Sequence, residues 1–185
     1  MFDGSEYKVR PNIVFIITGE IGIGKTTICK KVLEMARKSG FRCGGIITHK
    51  MPGDSLSVMD IRSGEMAVLA IPGDKFGGPL VPRFTFDPEG ITFGIRAIKT
   101  GSLEDILFVD EIGIIETMGK GFIKAFDIIS ESRTKNSVLV IRNELLEYLL
   151  PGLDHEPLIF EATAENRDRL PTDIFNVISR DQASR

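Results

Sequence analysis

One stretch near the amino end organises this chain: Gly19-Glu20-Ile21-Gly22-Ile23-Gly24-Lys25-Thr26-Thr27. It fits the pattern G-x-x-x-x-G-K-[ST], in which glycines let successive backbone N–H groups turn toward the oxygens of a phosphate. The apolar run at residues 12–18 precedes it and predicts a strand buried on both faces. Apolar side chains at helical spacing follow it: Ile28, Val32, Leu33 and Ala36. This order predicts a phosphate-binding loop between a buried strand and a helix.

Two side chains of the loop suit a nucleoside triphosphate. Lys25 supplies a positive charge to the β- and γ-phosphates, and Thr26 offers a hydroxyl to Mg²⁺. We therefore assign Lys25 a catalytic role and Thr26 a metal-binding role. The loop as a whole, Gly19 to Thr27, is assigned to binding ATP or another nucleoside triphosphate.

A second apolar strand ends in two acids: Ile106-Leu107-Phe108-Val109-Asp110-Glu111. Hydrolysis of a nucleotide needs a carboxylate near Mg²⁺, at the carboxyl end of a strand close to the phosphate loop. Asp110 fits that role, acting through a metal-bound water. Glu111 is positioned to orient or deprotonate the attacking water. The sequence therefore predicts a metal site at Thr26 and Asp110, with Glu111 as a second catalytic residue.

The rest of the chain alternates between strand and helix patterns. Strands are predicted at residues 42–48, 106–109, 137–141 and 158–160, and apolar stripes predict helices at residues 122–129, 145–150 and 174–178. Such alternation is typical of an α/β fold whose mainly parallel sheet has helices on both faces. Residues 55–70 predict an antiparallel hairpin insertion. The Gly- and Pro-rich residues 71–94 predict an exposed, irregular excursion with short strand-like pieces, such as residues 83–86. The hairpin and excursion together span residues 51–99.

Length and composition indicate one domain, residues 1–185, with a loose tail at residues 1–10. The net charge of −3 and the lack of a long basic block argue against a nucleic-acid partner. The apolar runs are too short to span a membrane. Cys29 and Cys43 do not form a disulfide scaffold, so we expect both to be reduced in a cytoplasmic protein. We expect a monomer.

Three segments together resemble a known family. They are the phosphate loop, the segment Val109-Asp110-Glu111-Ile112-Gly113 followed by Glu116, and the late segment Thr163-Ala164-Glu165-Asn166-Arg167-Asp168-Arg169-Leu170-Pro171. Their order and spacing are similar to those of the small nucleoside-triphosphatases first known from thermophiles. The resemblance implies a RecA-like P-loop NTPase fold and slow, Mg²⁺-dependent hydrolysis of ATP, GTP and other nucleoside triphosphates. It also implies nucleotide contacts from the phosphate loop and from residues 109–113.

Further candidate residues lie outside these motifs, and some of them allow two interpretations. Glu116 either supports the site or begins the helix that contains Phe122, and we assign it to the site. Asn166 and Arg167 follow a late strand, where they contact the base or ribose or else form a capping turn. The candidates for an arginine that stabilises the transition state are Arg83, Arg96 and Arg142. His49 and His155 have no metal-ligand spacing.

Two other functions remain open at this point. A nucleotide or small-molecule kinase uses the same phosphate cradle but needs an acceptor pocket and an arginine-rich lid. A nucleotide-gated switch binds the triphosphate with little intrinsic turnover. A dedicated GTPase is disfavoured, because no [NT]-K-x-D motif follows a late strand.

Overall fold

The computed structural model describes residues 12–73, 80–81, 84–131 and 136–183, with a nine-stranded sheet at its centre. The strands are β1 Ile13–Gly19, β2 Cys43–Lys50, β3 Leu56–Asp60, β4 Met66–Pro72, β5 Leu80–Val81, β6 Phe84–Phe86, β7 Ile106–Ile112, β8 Asn136–Ile141 and β9 Leu158–Ala162. The helices are α1 Lys25–Lys38, α2 Pro88–Gly101, α3 Ala125–Glu131, α4 Leu146–Leu149 and α5 Leu170–Ala183. The predicted tail at residues 1–10 lies outside the described residues.

The strands are arranged in the order β5-β6-β4-β3-β2-β7-β8-β1-β9. The five strands from β2 to β9 in this order pair in parallel, and β3 to β6 add an antiparallel wing beyond β2. The predicted hairpin is confirmed as β3 and β4, but the antiparallel part has four strands, not two. Because β8 lies between β1 and β7, the carboxyl ends of these three parallel strands meet at one edge of the sheet.

Two apolar clusters cover the two faces of the sheet. Phe15 and Ile17 of β1 pack against α1 and α5, whereas Val14 and Ile16 face the cluster formed with α2, α3 and α4. Alternate residues of a strand point to opposite faces, so a continuous apolar run requires helices on both sides. The predicted α/β architecture is confirmed. The helix predicted at residues 122–129 begins later, at Ala125, and Phe122 is buried in the turn before it.

The prediction of an exposed, irregular excursion at residues 71–94 is wrong from Pro88 onward, whereas the strand-like piece predicted within it is confirmed as β6 at Phe84–Phe86. β6 pairs with β4, and α2 begins at Pro88 after Asp87, whose side chain accepts a hydrogen bond of 2.9 Å from the N–H of Glu89. A carboxylate at this position followed by proline is a favourable start for a helix. Residues 74–79 and 82–83 of the excursion lie outside the described residues.

α2 was not predicted from the sequence, because it contains several glycines. Gly90, Gly94 and Gly101 lower its helix propensity, yet all three lie on its buried face. A Cβ atom on Gly101 would stand 2.1 Å from the N atom of Gly45, so the helix packs directly on the backbone of β2. Neither Gly44 nor Gly45 of β2 has room for a side chain.

Candidate active site

The phosphate loop connects the end of β1 to the start of α1, as the sequence predicts. Three of its glycines have positive φ angles: Gly19 at 130°, Gly22 at 84° and Gly24 at 108°. Other residues rarely adopt these angles, which explains why glycine occupies these positions. At Gly19 a side chain would also meet β9, because a Cβ atom would lie 2.6 Å from the carbonyl oxygen of Ala162.

Lys25, the first residue of α1, closes the loop on itself. Its ammonium group donates to the carbonyl oxygens of Gly19 at 2.8 Å and of Glu20 at 2.7 Å. Burial lowers the pKa of Lys25, and the carboxylate of Glu111 opposes that shift. The charge is therefore held at the mouth of the loop by two neutral acceptors, which a phosphate oxygen can replace at favourable energy.

Asp110 is fully buried at the end of β7, beside the loop. Thr26 Oγ1 donates to its Oδ1 at 3.0 Å, and the N–H and hydroxyl of Thr48 both donate to its Oδ2 at 3.3 Å. The contact with Thr48 follows from the parallel pairing of β2 and β7, which sets Ile47 opposite Asp110. Burial raises the pKa of Asp110 to about 7, although these hydrogen bonds oppose the shift. Sequence analysis missed Thr48; its place at the end of the run 42–48 was the available signal.

The pairing of Thr26 with Asp110 suits a magnesium ion. Mg²⁺ takes oxygen ligands and is commonly held by one or two protein oxygens together with waters and substrate phosphates. A hydroxyl and a carboxylate beside a phosphate loop supply such a partial set. Within the described residues no cluster of three or more His, Cys, Asp or Glu side chains could hold a metal by itself. The oxygen ligands present therefore fit a Mg²⁺ ion that binds together with the nucleotide.

Glu111 follows Asp110 through a cis peptide bond and is half-buried at the same edge. Its Oε1 accepts a hydrogen bond of 2.6 Å from Nε of Arg142, the first residue after β8. Of the three candidate arginines, the structure brings Arg142 to the site. Arg96 lies on the exposed side of α2, with its guanidinium 5.6 Å from the centre of the Phe93 ring. Arg83 lies outside the described residues.

Glu116 stabilises the loop that follows Asp110 and Glu111. It is buried, and its two carboxylate oxygens accept hydrogen bonds of 2.7 Å each from the N–H groups of Gly113 and Phe122. Burial raises the pKa of Glu116, and these N–H groups oppose the shift. Glu116 begins a short 3-10 helix, Glu116–Met118, but Phe122 lies in a turn because α3 begins only at Ala125. A direct contact of Glu116 with nucleotide stays a prediction.

The other assigned residues differ in what they can offer a nucleotide. Val109 and Ile112 are buried in the core, so any nucleotide contact there comes from the backbone. Asn166 forms the capping turn: its Oδ1 accepts from the N–H of Thr163 at 2.8 Å, and its Nδ2 donates to the carbonyl of Glu161 at 2.9 Å. Arg167 is exposed beside this turn. Contacts of Asn166 and Arg167 with the base or ribose stay predictions.

His49 follows Thr48 in β2 and lies close to α1. Its Nδ1 is 3.3 Å from Nζ of Lys30, and burial followed by the charge of Lys30 lowers the pKa of the imidazole. His155 is exposed in the segment before β9.

Comparison with known proteins agrees with this geometry. A family model described as NTPase matches residues 14–175, which include the phosphate loop, both acids and the late Asn-Arg turn. The chain belongs to this NTPase family. Its members act on nucleoside triphosphates as hydrolases, and the resemblance seen in the sequence is thereby confirmed.

Relatives and solved structures extend the match over most of the chain. Nucleoside-triphosphatase THEP1 of Pyrococcus abyssi is 30% identical over 172 residues, covering 90% of this chain and 92% of the relative. THEP1 of Methanosarcina barkeri is 29% identical over 166 residues, covering 86% and 94%. The solution structure of a human cancer-related nucleoside triphosphatase superposes with a TM-score of 0.75 at 23% identity, covering 95% of this chain and 100% of that one. The crystal structure of THEP1 from Aquifex aeolicus gives 0.66 at 22% identity, covering 90% and 99%. These structures confirm the P-loop NTPase fold.

None of the described helices combines the length and the apolar character that crossing a bilayer requires.

Proposed function

We propose that this chain hydrolyses the γ-phosphate of ATP, GTP and other nucleoside triphosphates in a Mg²⁺-dependent reaction. The observation that carries the proposal is the convergence of Lys25, Thr26, Asp110 and Glu111 at one edge of the sheet. A cation, a hydroxyl and two carboxylates beside a phosphate loop are the groups that phosphoryl transfer to water requires.

Each side chain has a distinct task in this proposal. Lys25 and the loop N–H groups bind the phosphates and stabilise the charge that spreads over the γ-phosphate oxygens in the transition state. Glu111 orients a water molecule and accepts its proton as the water oxygen bonds to phosphorus and the bond to the β-phosphate oxygen breaks. The products are a nucleoside diphosphate and inorganic phosphate.

Thr26 and Asp110 would hold the metal ion, Asp110 through a bound water. Mg²⁺ supplies positive charge to the phosphates when it is bound. Asp110 then needs to be ionised, and a divalent cation nearby lowers the pKa that burial raises in the metal-free chain. Binding of Mg²⁺ with nucleotide near pH 7 is therefore expected to release a proton.

We also propose a monomeric, cytoplasmic enzyme whose ligands are nucleoside triphosphates and not nucleic acids. The net charge of −3 and the free, buried Cys29 and Cys43 support this part of the proposal. Sedimentation of the purified chain with and without nucleotide measures the oligomeric state.

Phosphate release from ATP, GTP, CTP and UTP tests the function directly. Each is supplied with Mg²⁺ or with a chelator, and with or without nucleoside and small-molecule acceptors. We expect Mg²⁺-dependent release from several triphosphates, with equal amounts of diphosphate and phosphate formed. Phosphoryl transfer that exceeds hydrolysis would favour a kinase, and tight binding with negligible turnover would favour a switch.

A further inference from the structure

Arg142 lies where the strand order concentrates the chemistry of the site. It follows β8, and β8 lies between β1, which leads to the phosphate loop, and β7, which carries the two acids near its carboxyl end. Its Nε donates to Glu111 Oε1 at 2.6 Å, and the two side chains are 36% and 27% exposed. The pair is therefore half-buried and remains open to a ligand that arrives at the carboxyl edge.

The guanidinium group has more donors than this pair uses. Arginine has five N–H donors in a planar fork that matches the geometry of carboxylates and phosphates. Within the described residues, the hydrogen bond to Glu111 is the one that the Arg142 side chain makes. Among the described residues nothing else occupies the outer N–H groups, so an arriving oxyanion can contact them first, before the bond to Glu111 breaks.

The charges around Arg142 explain why an oxyanion that binds at this site needs the guanidinium group. The charges of Glu111, Arg142, Glu144 and Asp110 all act on the pKa of Lys25 at this edge of the sheet, so these five groups lie near one site. Three of the five are carboxyl groups, and a triphosphate would bring further negative charge beside them. Repulsion between like charges a few ångströms apart is large in a partly buried site. A terminal phosphate is therefore favoured only where a cation faces it.

We infer that Arg142 is the residue that distinguishes a nucleoside triphosphate from a diphosphate. In the nucleotide-free chain it holds Glu111 in an ion pair; a terminal phosphate competes with Glu111 for the guanidinium, and its arrival releases the carboxylate to the attacking water. A diphosphate lacks that phosphate and leaves the pair intact. This inference rests on the proposed function, because it takes Glu111 as the group that handles the water.

Equilibrium binding in the presence of Mg²⁺ tests the inference without turnover. The probes are ADP and a non-hydrolysable ATP analogue, and the proteins are wild type, Arg142→Gln and Arg142→Lys. The matched control is Arg42→Gln, which breaks an arginine–carboxylate pair at the opposite edge of the sheet. The measured quantity is the preference for the analogue, given by the Kd for ADP divided by the Kd for the analogue.

We expect Arg142→Gln to lower this preference by about 10–100-fold, as the loss of charge-assisted hydrogen bonds predicts. Arg142→Lys should recover part of it by keeping the charge, and Arg42→Gln should leave it unchanged. A preference in Arg142→Gln within about threefold of wild type would overturn the inference, leaving the pair a structural contact. This failure differs from failure of the proposed function, which would appear as absent phosphate release from the wild-type chain.

The wild-type protein provides a second readout that does not depend on how a variant folds. The Nε–H group of Arg142 can be followed by NMR in arginine-labelled protein, with Arg142→Lys used only to assign its signal. The signal should move when the ATP analogue is added and stay near its free position with ADP. An equal response to both nucleotides, or none to either, would contradict the inference.

Discussion

The two edges of the parallel half of the sheet each bear an arginine–carboxylate pair. At the amino edge, Nη2 of Arg42 is 3.2 Å from Oδ1 of Asp105, and the Arg42 side chain is 68% exposed. At the carboxyl edge, Nε of Arg142 is 2.6 Å from Oε1 of Glu111, with a side chain that is 36% exposed. Both pairs join a guanidinium group to a carboxylate, but their surroundings differ.

The groups that surround the two pairs differ in their burial. The amino-edge pair belongs to a network that also includes Glu104 and Arg62, in which both guanidinium groups are exposed and screened by solvent and salt. The carboxyl-edge pair lies with fully buried Asp110 and nearly buried Lys25 beside the phosphate loop. The comparison teaches that the position of an ion pair matters more than its residue types. A pair indicates function when it lies beside buried charged groups at the edge where parallel strands end.

Lys25→Ala should produce the largest effect and act only at the carboxyl edge. The variant loses the ammonium group that now bonds to the carbonyls of Gly19 and Glu20 and that would bond to the phosphates. We expect affinity for a Mg²⁺-bound ATP analogue to fall by about 100-fold or more, as the loss of two charge-assisted hydrogen bonds predicts. Titration calorimetry measures it, with circular dichroism as the check on folding. Wild-type affinity in a folded variant would remove the phosphate-loop assignment.

Asp110→Asn should raise the stability of the metal-free chain while lowering the response of nucleotide binding to Mg²⁺. The pKa of Asp110 in the folded chain, about 7, lies above its ordinary value of 3.8. The folded state therefore loses stability as the pH rises from about 4 through about 7, by an amount on the order of a few kcal/mol.

Urea unfolding across this pH range, with a chelator present and without nucleotide, measures the effect. Wild type should lose stability over the interval, whereas the Asn variant should lose much less. Parallel pH profiles for the two proteins would mean that Asp110 is not held protonated by burial. Equal loss of nucleotide affinity with and without Mg²⁺ would point to a structural role and not to a role through the metal.

Glu116→Gln should destabilise the protein and leave nucleotide affinity near wild type. A glutamine can accept at its carbonyl oxygen, but its NH₂ group would face one of the two N–H donors of Gly113 and Phe122. The expected loss is about 1–3 kcal/mol of unfolding free energy, measured by denaturant titration. Reduced nucleotide affinity at unchanged stability would instead favour the direct contact assigned from the sequence.

Arg42→Gln should have the smallest effect of the series. It breaks the exposed pair with Asp105 at the edge away from the loop. We expect unchanged turnover and a slight decrease in Tm that disappears at high salt, because screening already weakens an exposed pair. Turnover that falls as far as in the Arg142 variants would abolish the distinction between the two edges.

Local patterns were enough to predict the parts of the site that are continuous in sequence. β1, the loop and α1 form one uninterrupted signal, and the apolar run before Asp110 and Glu111 predicts β7, although that strand continues to Ile112. α2 was missed because its glycines, such as Gly94, indicate a loop until the ring of Phe122 is known to pack against that position.

The parts of the site that could not be predicted from the sequence depend on contacts between residues far apart in the chain. Arg142 and Glu111 are 31 positions apart, and they meet only because β8 pairs with β7. Without the strand order, Arg142 was one of three equal candidates. Thr48 reaches Asp110 across 62 positions through the pairing of β2 with β7, which no single-sequence motif records.

Single-turnover hydrolysis by Glu111→Gln, together with its equilibrium affinity for nucleotide, tests the central claim most directly. The amide keeps the size of the side chain but cannot accept the proton of the attacking water. The account predicts a kcat about 10²–10⁴ below wild type, the usual contribution of a general base. It also predicts affinity equal to or above that of wild type, because the interaction lost is made in the transition state. A kcat within about threefold of wild type would remove Glu111 from the mechanism and contradict the account.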